Sequence, residues 1–535
     1  MPWNYGDILD TIVTILPPER PALVHASRTI SWGDLNRRSN NLARVLLARG
    51  AETGDKVAFY MRNRVEYMET LAACFRARLT HVNVNYRYKP DEVFYIFDNS
   101  DATVVVYGSE FRDIIEEIRG RLTKVKLFIE VNEAGDAPSF AENYETLATT
   151  GNGENLGIAR SGDDMFFLYT GGTTGMPKGV MWTHDAHRNA ALDAARRLGP
   201  VPETMEALLE AIKVGPASVV LPACPLMHGT GLFTAIAAMA SGGAIVTLDN
   251  ASLDANELWA AVARNHVTSI SIVGDAFAKP MLKALDDAPG KYDTSSLATI
   301  VSSGVMWSVE VKRGLLGHIP QVALVDSFGA SEAINFGSSI MTADGEIKTA
   351  KFQIGAQCKV FDEQDQPVEP GSGKSGIIAM GGYLPAGYYK DEAKTAKTFR
   401  TIAGHRYSIP GDWCIVEADG TLTLLGRGSA CINTAGEKVY PEEVEEVLKQ
   451  HPSVEDALVI GVPDDKWGQA VTGVVKVAPG IHFNEDELRA YVRQHLAGYK
   501  TPKRILISIL PFRAPNGKAD YKTITDFARR ELNVA

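Results

Sequence analysis

Residues 169–179 read YTGGTTGMPKG, directly after the apolar run MFFL. Gly171, Gly172 and Gly175 let backbone amides approach an anion with no Cβ in the way, and such amides form anion-binding nests. Thr170, Thr173 and Thr174 add hydroxyl donors, and Lys178 adds a positive charge. The stretch is well supplied for holding phosphate. Its spacing is not GxxxxGK[ST], so it is not a Walker A loop. A Gly/Thr surface loop is the plain alternative. A second stretch, Gly371-Ser-Gly-Lys-Ser375, looks like the tail of a Walker A loop, but position 368 is Val368 and no long helix follows. A hairpin turn after Pro370 is expected there.

The elements that position the first loop have a regular rhythm. SWGDLNRRSNNLARVLLARG predicts a helix that Ser31 caps and Gly50 stops, with Leu35, Leu42, Val45 and Leu46 on one face. KVAFYM predicts a buried strand, residues 64–78 return to helical spacing, and HVNVNY is strand again. A helix end and the Val-rich strand DATVVVYG follow. SISIV, LATIVSS and QVALVDSFG repeat the pattern over 253–340. Such alternation predicts a parallel sheet covered by helices. From about residue 355 the pattern changes to hairpins, including CIVEADGTLTLLG with its Asp-Gly turn. After residue 430 comes a compact α/β piece with helices VEEVLKQH and EDELRAYVRQHL and strands DALVIGV and AVTGVVKV. A boundary is expected near Gly426–Cys431.

Composition narrows the class. At 535 residues the chain must hold several packed units, and 45% hydrophobic with 22% charged residues is the balance of a soluble enzyme. The formal net charge of −11 excludes nucleic acid as an expected partner. No polybasic run marks a lipid headgroup site. Cys74, Cys224, Cys358, Cys414 and Cys431 are far apart, so no disulfide framework or zinc site is expected and a reducing cytoplasm fits. The start, MPWNYGDILDTIV, does not read as a signal peptide. The apolar stretch 229–248 is about long enough to span a membrane. Ser241-Gly242-Gly243 breaks it, so a buried helix, a turn and a buried strand are expected.

TGGTTGMPKG resembles the phosphate-loop signature of the adenylate-forming superfamily of acyl-CoA synthetases, luciferases and peptide-synthetase adenylation domains. GDKVAFYMRNRVEYMETLAACFRA, PLMHGTG, DSFGASEA, YSIPGDW, GRGSACINTAGEKVYPEEVE and PNGKADYK resemble further motifs in the family's order. The resemblance implies an ATP site from Thr170 to Gly175 with Lys178, Ser303, Gly304, Ser327, Phe328, Gly329 and Ser331. Phe328 would stack on adenine and Ser331 would lie near the α-phosphate. Glu332, with Thr173, would hold Mg²⁺, for which oxygen ligands are suited. Asp412 and Arg427 would bind ribose. Lys518 would bridge the α-phosphate and the substrate carboxylate, where a positive charge stabilises the developing transition state. Coenzyme A would meet Gly436 and Lys438. His228 would shape or gate the acyl site rather than act as a base, because the acid is already ionised at pH 7. Met227, Phe233, Met306 and Trp307 would make that site apolar. His184, in WTHDAH, has no chemical task and a structural role is expected.

Two positions depart from the family pattern. The hinge position, often Asp or Lys, falls on Ala430, and the acyl-pocket signature is altered in Ser302-Ser-Gly304-Val-Met-Trp-Ser308. The implied fold class is α/β. A large N-terminal domain of layered α/β subdomains with a β-rich part spans 1–425, a hinge spans 426–431, and a small mobile α/β domain spans 432–535. The implied reaction joins a carboxylic acid to coenzyme A through an acyl-adenylate, with ATP as activator. The whole-chain pattern is similar to ligases of fatty acids and steroid side-chain acids. The alternatives are aryl or short-chain acids, a carrier protein as acyl acceptor, and a nucleotide-binding regulator without catalysis. A homodimer and peripheral membrane contact are left open.

Overall fold

The computed structural model describes residues 2–132, 136–170, 176–197, 199–250, 252–304, 307–345, 351–427, 432–434, 437–464, 468–477, 480–481, 483–496, 498–514 and 519–534. They form two compact units. The larger comprises Met1–Thr349, Gly355–Gln357 and Met380–Ser408, and the smaller Ala350–Ile354, Cys358–Ala379 and Ile409–Ala535.

The larger unit is α/β with two main sheets. In the first, the strands run in the order Arg28–Ser31, Pro21–His25, Ala244–Thr247, Val219–Pro222, Ser269–Ile272, Thr299–Ser303, Ala323–Ala330 and Ala333–Met341. The middle pairings are parallel and the outer two antiparallel. The second sheet runs Gly387–Tyr388, Lys178–Thr183, Met165–Thr170, Thr80–Asn83, Lys56–Tyr60, Ala102–Gly108, Leu127–Val131 and Glu142–Asn143. It is parallel from Met165–Thr170 to Glu142–Asn143 and antiparallel at the other edge. Helices pack apolar residues against both sheets, as the alternating sequence predicts.

Local sequence explains the elements. The Ser31 hydroxyl accepts the Asp34 amide at 3.1 Å and caps the helix Trp32–Ala48, whose Leu35, Leu42 and Leu46 are buried. The stretch 229–248 folds as the helix Gly229–Met239, a turn, and the fully buried strand Ala244–Thr247. Gly242 makes that turn at φ +65°, a conformation that resists a side chain. Among the described residues no helix is long and apolar enough to cross a membrane. Gly371-Ser-Gly-Lys374 is irregular and leads into the strand Ser375–Met380, so the Walker-like stretch is a turn.

In the smaller unit, Leu422–Arg427 pairs antiparallel with Lys351–Ile354 and with Asp412–Val416, and the latter pairs with Ser375–Met380. A five-stranded sheet of Glu437–Val439, Ile432–Thr434, Gly468–Val477, Val454–Asp464 and Arg504–Ile507 follows. The helices Pro441–Lys449, Glu485–His495 and Tyr521–Leu532 pack on it. The compact units thus divide the chain differently from a single cut at 426–431. Strands far apart in sequence, Lys351–Ile354, Asp412–Val416 and Leu422–Arg427, share hydrogen bonds and are grouped with the C-terminal residues. Residues 428–431, including Ala430, lie outside the described residues.

Candidate functional site

Open α/β sheets bind ligands beyond the carboxyl ends of their strands. In the larger unit Thr170 and Ser303 lie at such ends. Met165–Thr170 and Lys178–Thr183 form a hairpin in which Thr170 and Lys178 are register partners, so the Gly/Thr stretch connects two strand ends. Gly171, Gly172, Thr173, Thr174 and Gly175 lie outside the described residues. Gly179 has a local reason to lack a side chain: a Cβ there would sit 2.7 Å from the Tyr169 ring. Lys178 Nζ pairs with Asp391 at 2.6 Å. Each partner stabilises the other's charge, so the ammonium lies above and the carboxyl below its ordinary pKa.

Ser303 ends the strand Thr299–Ser303 and is the register partner of Ser327 on the neighbouring parallel strand. Gly304 follows with φ +87°. Phe328 and Gly329 continue the strand Ala323–Ala330, and the Phe328 and Phe336 rings lie 5.2 Å apart. Ser331 and Glu332 occupy the turn into the strand Ala333–Met341. The turn is tied to the second sheet twice: Trp182 Nε1 donates to the Ser331 carbonyl at 2.9 Å, and the Tyr388 hydroxyl donates to Glu332 Oε1 at 2.5 Å. On the same strand as Phe328, Asp326 forms a buried ion pair with Lys312. Burial leaves the Asp326 carboxyl above its ordinary pKa despite that partner.

The acyl-side residues are packed differently. Met227 is buried, its carbonyl accepts from Asn83 Nδ2 at 2.6 Å, and its sulfur faces the Tyr86 amide at 3.3 Å. His228 is the residue from which the helix Gly229–Met239 starts. Phe233 meets His187 at 4.5 Å, edge to face, beside Trp182 and Phe166. Trp307 is 1% exposed within a hydrophobic cluster, with Lys312 Nζ 5.5 Å from its ring centre. Met306 lies outside the described residues. His184 stands 4.6 Å from the Phe75 ring, is buried, and is pushed down to about pKa 3 by that burial, consistent with a structural role.

In the smaller unit Asp412 begins the strand Asp412–Val416, is buried, and is the cross-strand partner of Arg427. Antiparallel register therefore brings these two motif positions together from 15 residues apart. Gly436 and Lys518 lie outside the described residues, and Lys438 is described only as part of the strand Glu437–Val439.

The family whose model matches residues 15–389 is described as AMP-binding enzyme, and residues 443–514 match the AMP-binding enzyme C-terminal domain. This chain belongs to the AMP-binding enzyme family. It is 39% identical to the 3-oxocholest-4-en-26-oate–CoA ligase of Rhodococcus rhodochrous over 98% of this chain and 96% of that protein. It is 38% identical to the medium/long-chain-fatty-acid–CoA/3-oxocholest-4-en-26-oate–CoA ligase of Mycolicibacterium smegmatis over 98% and 96%. The fold is similar to that of ATP-bound MatB from Rhodopseudomonas palustris, with a TM-score of 0.81, 24% identity, and 99% and 100% of the two chains covered. The expected class, an AMP-forming acyl-CoA synthetase with an α/β fold, is borne out at the level of family and class.

The structure adds residues of this AMP-binding enzyme that pattern reading did not single out. Tyr388 and Trp182 hold Glu332 and Ser331, Asp391 holds Lys178, and Asn83 grips the strand end at Tyr169. The aromatic-rich stretch LPAGYYKDEAKT was the one available signal for Tyr388 and Asp391. Glu332 is the carboxylate that the sequence pattern singles out for magnesium. One of its oxygens is bonded to Tyr388, and among the described residues no group of three or more His, Cys, Asp or Glu could hold a metal. Magnesium is commonly held by one or two carboxylates with substrate phosphates supplying other ligands.

Proposed function

We propose that this chain activates a hydrophobic carboxylic acid with ATP and passes the acyl group to coenzyme A, releasing AMP and pyrophosphate. The observation that carries this reading is the 38–39% identity, over nearly the whole length, to ligases named for medium/long-chain fatty acids and a steroid side-chain acid. The acid substrate would be larger than propionate. Each additional buried CH₂ is worth about 0.8 kcal/mol, so an apolar site should favour long acyl groups over acetate by orders of magnitude.

In this reading a substrate carboxylate oxygen attacks the α-phosphorus and pyrophosphate leaves. The thiolate sulfur of coenzyme A then attacks the acyl carbon and AMP leaves. Both substrates of the first step are anionic, so the chain's contribution is positive charge and fixed donors. Lys178 and the amides and hydroxyls of residues 170–175 hold the phosphates, and Ser331 lies by the α-phosphate. Lys518 bridges phosphate and carboxylate. Phe328 stacks on adenine, Asp412 and Arg427 take the ribose, and Ser303, Gly304, Ser327 and Gly329 shape the nucleotide's surroundings. Glu332, with Thr173, would hold Mg²⁺, which when bound offsets triphosphate charge. His228, Met227, Phe233, Met306 and Trp307 face the acyl chain, and Gly436 and Lys438 meet coenzyme A.

The junction at 426–431, between the N-terminal 1–425 and the C-terminal 432–535, would let the small domain serve the two steps in turn. It lies in the interval between the two family matches, residues 390–442. We place the enzyme in the cytoplasm. Pyrophosphate release with ATP, coenzyme A and acetate, octanoate, palmitate, benzoate or a cholanoic acid tests the proposal. Preference for octanoate, palmitate or the cholanoic acid supports it. Preference for acetate or benzoate contradicts the large-acid assignment, and activity only with a phosphopantetheinyl carrier protein contradicts coenzyme A as acceptor.

A further inference from the structure

The loop from Cys224 to His228 leaves the first sheet after Val219–Pro222 and is gripped by side chains from the layer of the second sheet. Asn63 Oδ1 accepts the Leu226 amide at 2.7 Å and its Nδ2 donates to the Cys224 carbonyl at 3.1 Å. The Tyr67 hydroxyl donates to the Leu226 carbonyl at 3.3 Å. These contacts fix the early part of the loop.

Asn83 does something more. It ends the strand Thr80–Asn83 and is 1% exposed. Its Oδ1 accepts the Tyr169 amide at 2.6 Å, and its Nδ2 donates to the Tyr169 carbonyl at 3.0 Å and to the Met227 carbonyl at 2.6 Å. A carboxamide offers two N–H donors and a carbonyl acceptor, and here both donors and the acceptor are engaged. Tyr169 immediately precedes Thr170 and the Gly/Thr stretch, and Met227 immediately precedes His228. One buried group therefore joins the strand that feeds the nucleotide side to the loop that feeds the acyl side. No isosteric exchange preserves this. Aspartate keeps the acceptor but sets a carboxylate against two carbonyls, and serine is too short to hold both segments. Buried polar groups that lose a partner carry a large penalty, so the two segments should move together.

We propose that Asn83 is a positioning residue that couples the two half-sites, so that acid and ATP each bind better when the other is present. The inference rests on the functional reading above, and its test separates the two. Binding of α,β-methylene-ATP is measured by calorimetry with and without saturating dodecanoate. A coupling is reciprocal and typically about 5–150-fold, so the wild type should gain at least about fivefold in affinity. Asn83→Ser and Asn83→Asp should each reduce that gain to about twofold or less. Asn63→Ser is the comparator, since it loosens the same loop without touching Tyr169. It should retain most of the wild-type gain even where its melting temperature falls as far as that of Asn83→Ser.

An Asn83→Ser ratio equal to wild type, an equal loss in Asn63→Ser, or no gain in the wild type would each overturn the proposal. Asn83→Ser, the milder variant, keeps the comparison available where the buried carboxylate of Asn83→Asp prevents folding. Wild-type pyrophosphate release is read in parallel. Release without a coupling defect in the Asn83 variants sinks the coupling alone, whereas no release with any acid sinks the functional reading beneath it.

Discussion

Three of the residues proposed to meet the nucleotide and its metal are held differently from two of the apolar side chains proposed to meet the acyl chain. Lys178, Ser331 and Glu332 each have a polar tether, to Asp391, Trp182 and Tyr388. Phe233 and Trp307 are held by rings and aliphatic side chains, and Trp307 is as buried as any core residue. A charged group that must meet a ligand needs partners to fix it, and those partners can be found one by one. An apolar group that faces a substrate is packed by the same contacts that build a core. Tethered polar residues should therefore fail through chemistry, and packed apolar residues through selectivity and stability.

The largest effect is expected at Lys518. Removing one preorganised charge contact costs about 10²–10³ in rate, so Lys518→Ala should lose nearly all adenylation while thioester formation from supplied acyl-AMP survives. Assaying the two steps separately decides it, and equal losses in both would contradict the assigned role.

A smaller loss is expected at the Glu332 tether. A hydrogen bond to a charged group is worth about 1.5–3 kcal/mol, so Tyr388→Phe should lower kcat about tenfold or more and raise the magnesium needed for half-maximal rate. Glu332→Gln should weaken the magnesium response further. An unchanged magnesium titration in both variants would remove the metal role from this carboxylate.

On the acyl side, Phe233→Ala should shift kcat/KM toward bulkier acids by about tenfold, the scale of one or two buried methylenes, with the magnesium titration unchanged. A uniform drop for all acids would show Phe233 to be core alone.

The most gradual effect concerns the packing beneath the site. His81, His184 and His187 are buried, and burial pushes each down to about pKa 3. In the unfolded chain each titrates near about 6.5. Between those values the unfolded state binds more protons, so stability is full above about pH 6.5 and is lost as pH falls, by up to about 1.4 kcal/mol per pH unit per histidine. Thermal melts from pH 7.5 down to 4.5 should show a steepening fall, and a flat profile would contradict the buried neutral histidines.

The sequence made the fold class and many of the elements legible, unevenly. Strands such as SISIV and LATIVSS, and the turn inside 229–248, are written in local periodicity and small residues, and they fold as read. The Gly/Thr stretch 170–175 stood out by its residue types, whereas Ser331 and Glu332 were singled out only by the resemblance of DSFGASEA to a family motif. Asn83 and Tyr388 were not, because an asparagine in HVNVNY or a tyrosine in GYY acquires its task only from segments that the fold brings to it. The grouping of the strand Lys351–Ile354 with Asp412–Val416 and Leu422–Arg427 was hidden for the same reason: hydrogen-bond partners distant in sequence leave no local period.

The most direct test of the central claim follows oxygen. A preferred acid labelled with ¹⁸O in its carboxylate is incubated with the enzyme, ATP, Mg²⁺ and coenzyme A, and the products are analysed by mass spectrometry. Attack of the carboxylate on the α-phosphorus leaves one labelled oxygen bridging acyl group and phosphate. When coenzyme A displaces AMP at the acyl carbon, that oxygen departs with AMP. The account predicts AMP carrying one ¹⁸O per acyl-CoA formed, with unlabelled pyrophosphate. Unlabelled AMP, or ADP with labelled phosphate, would contradict it.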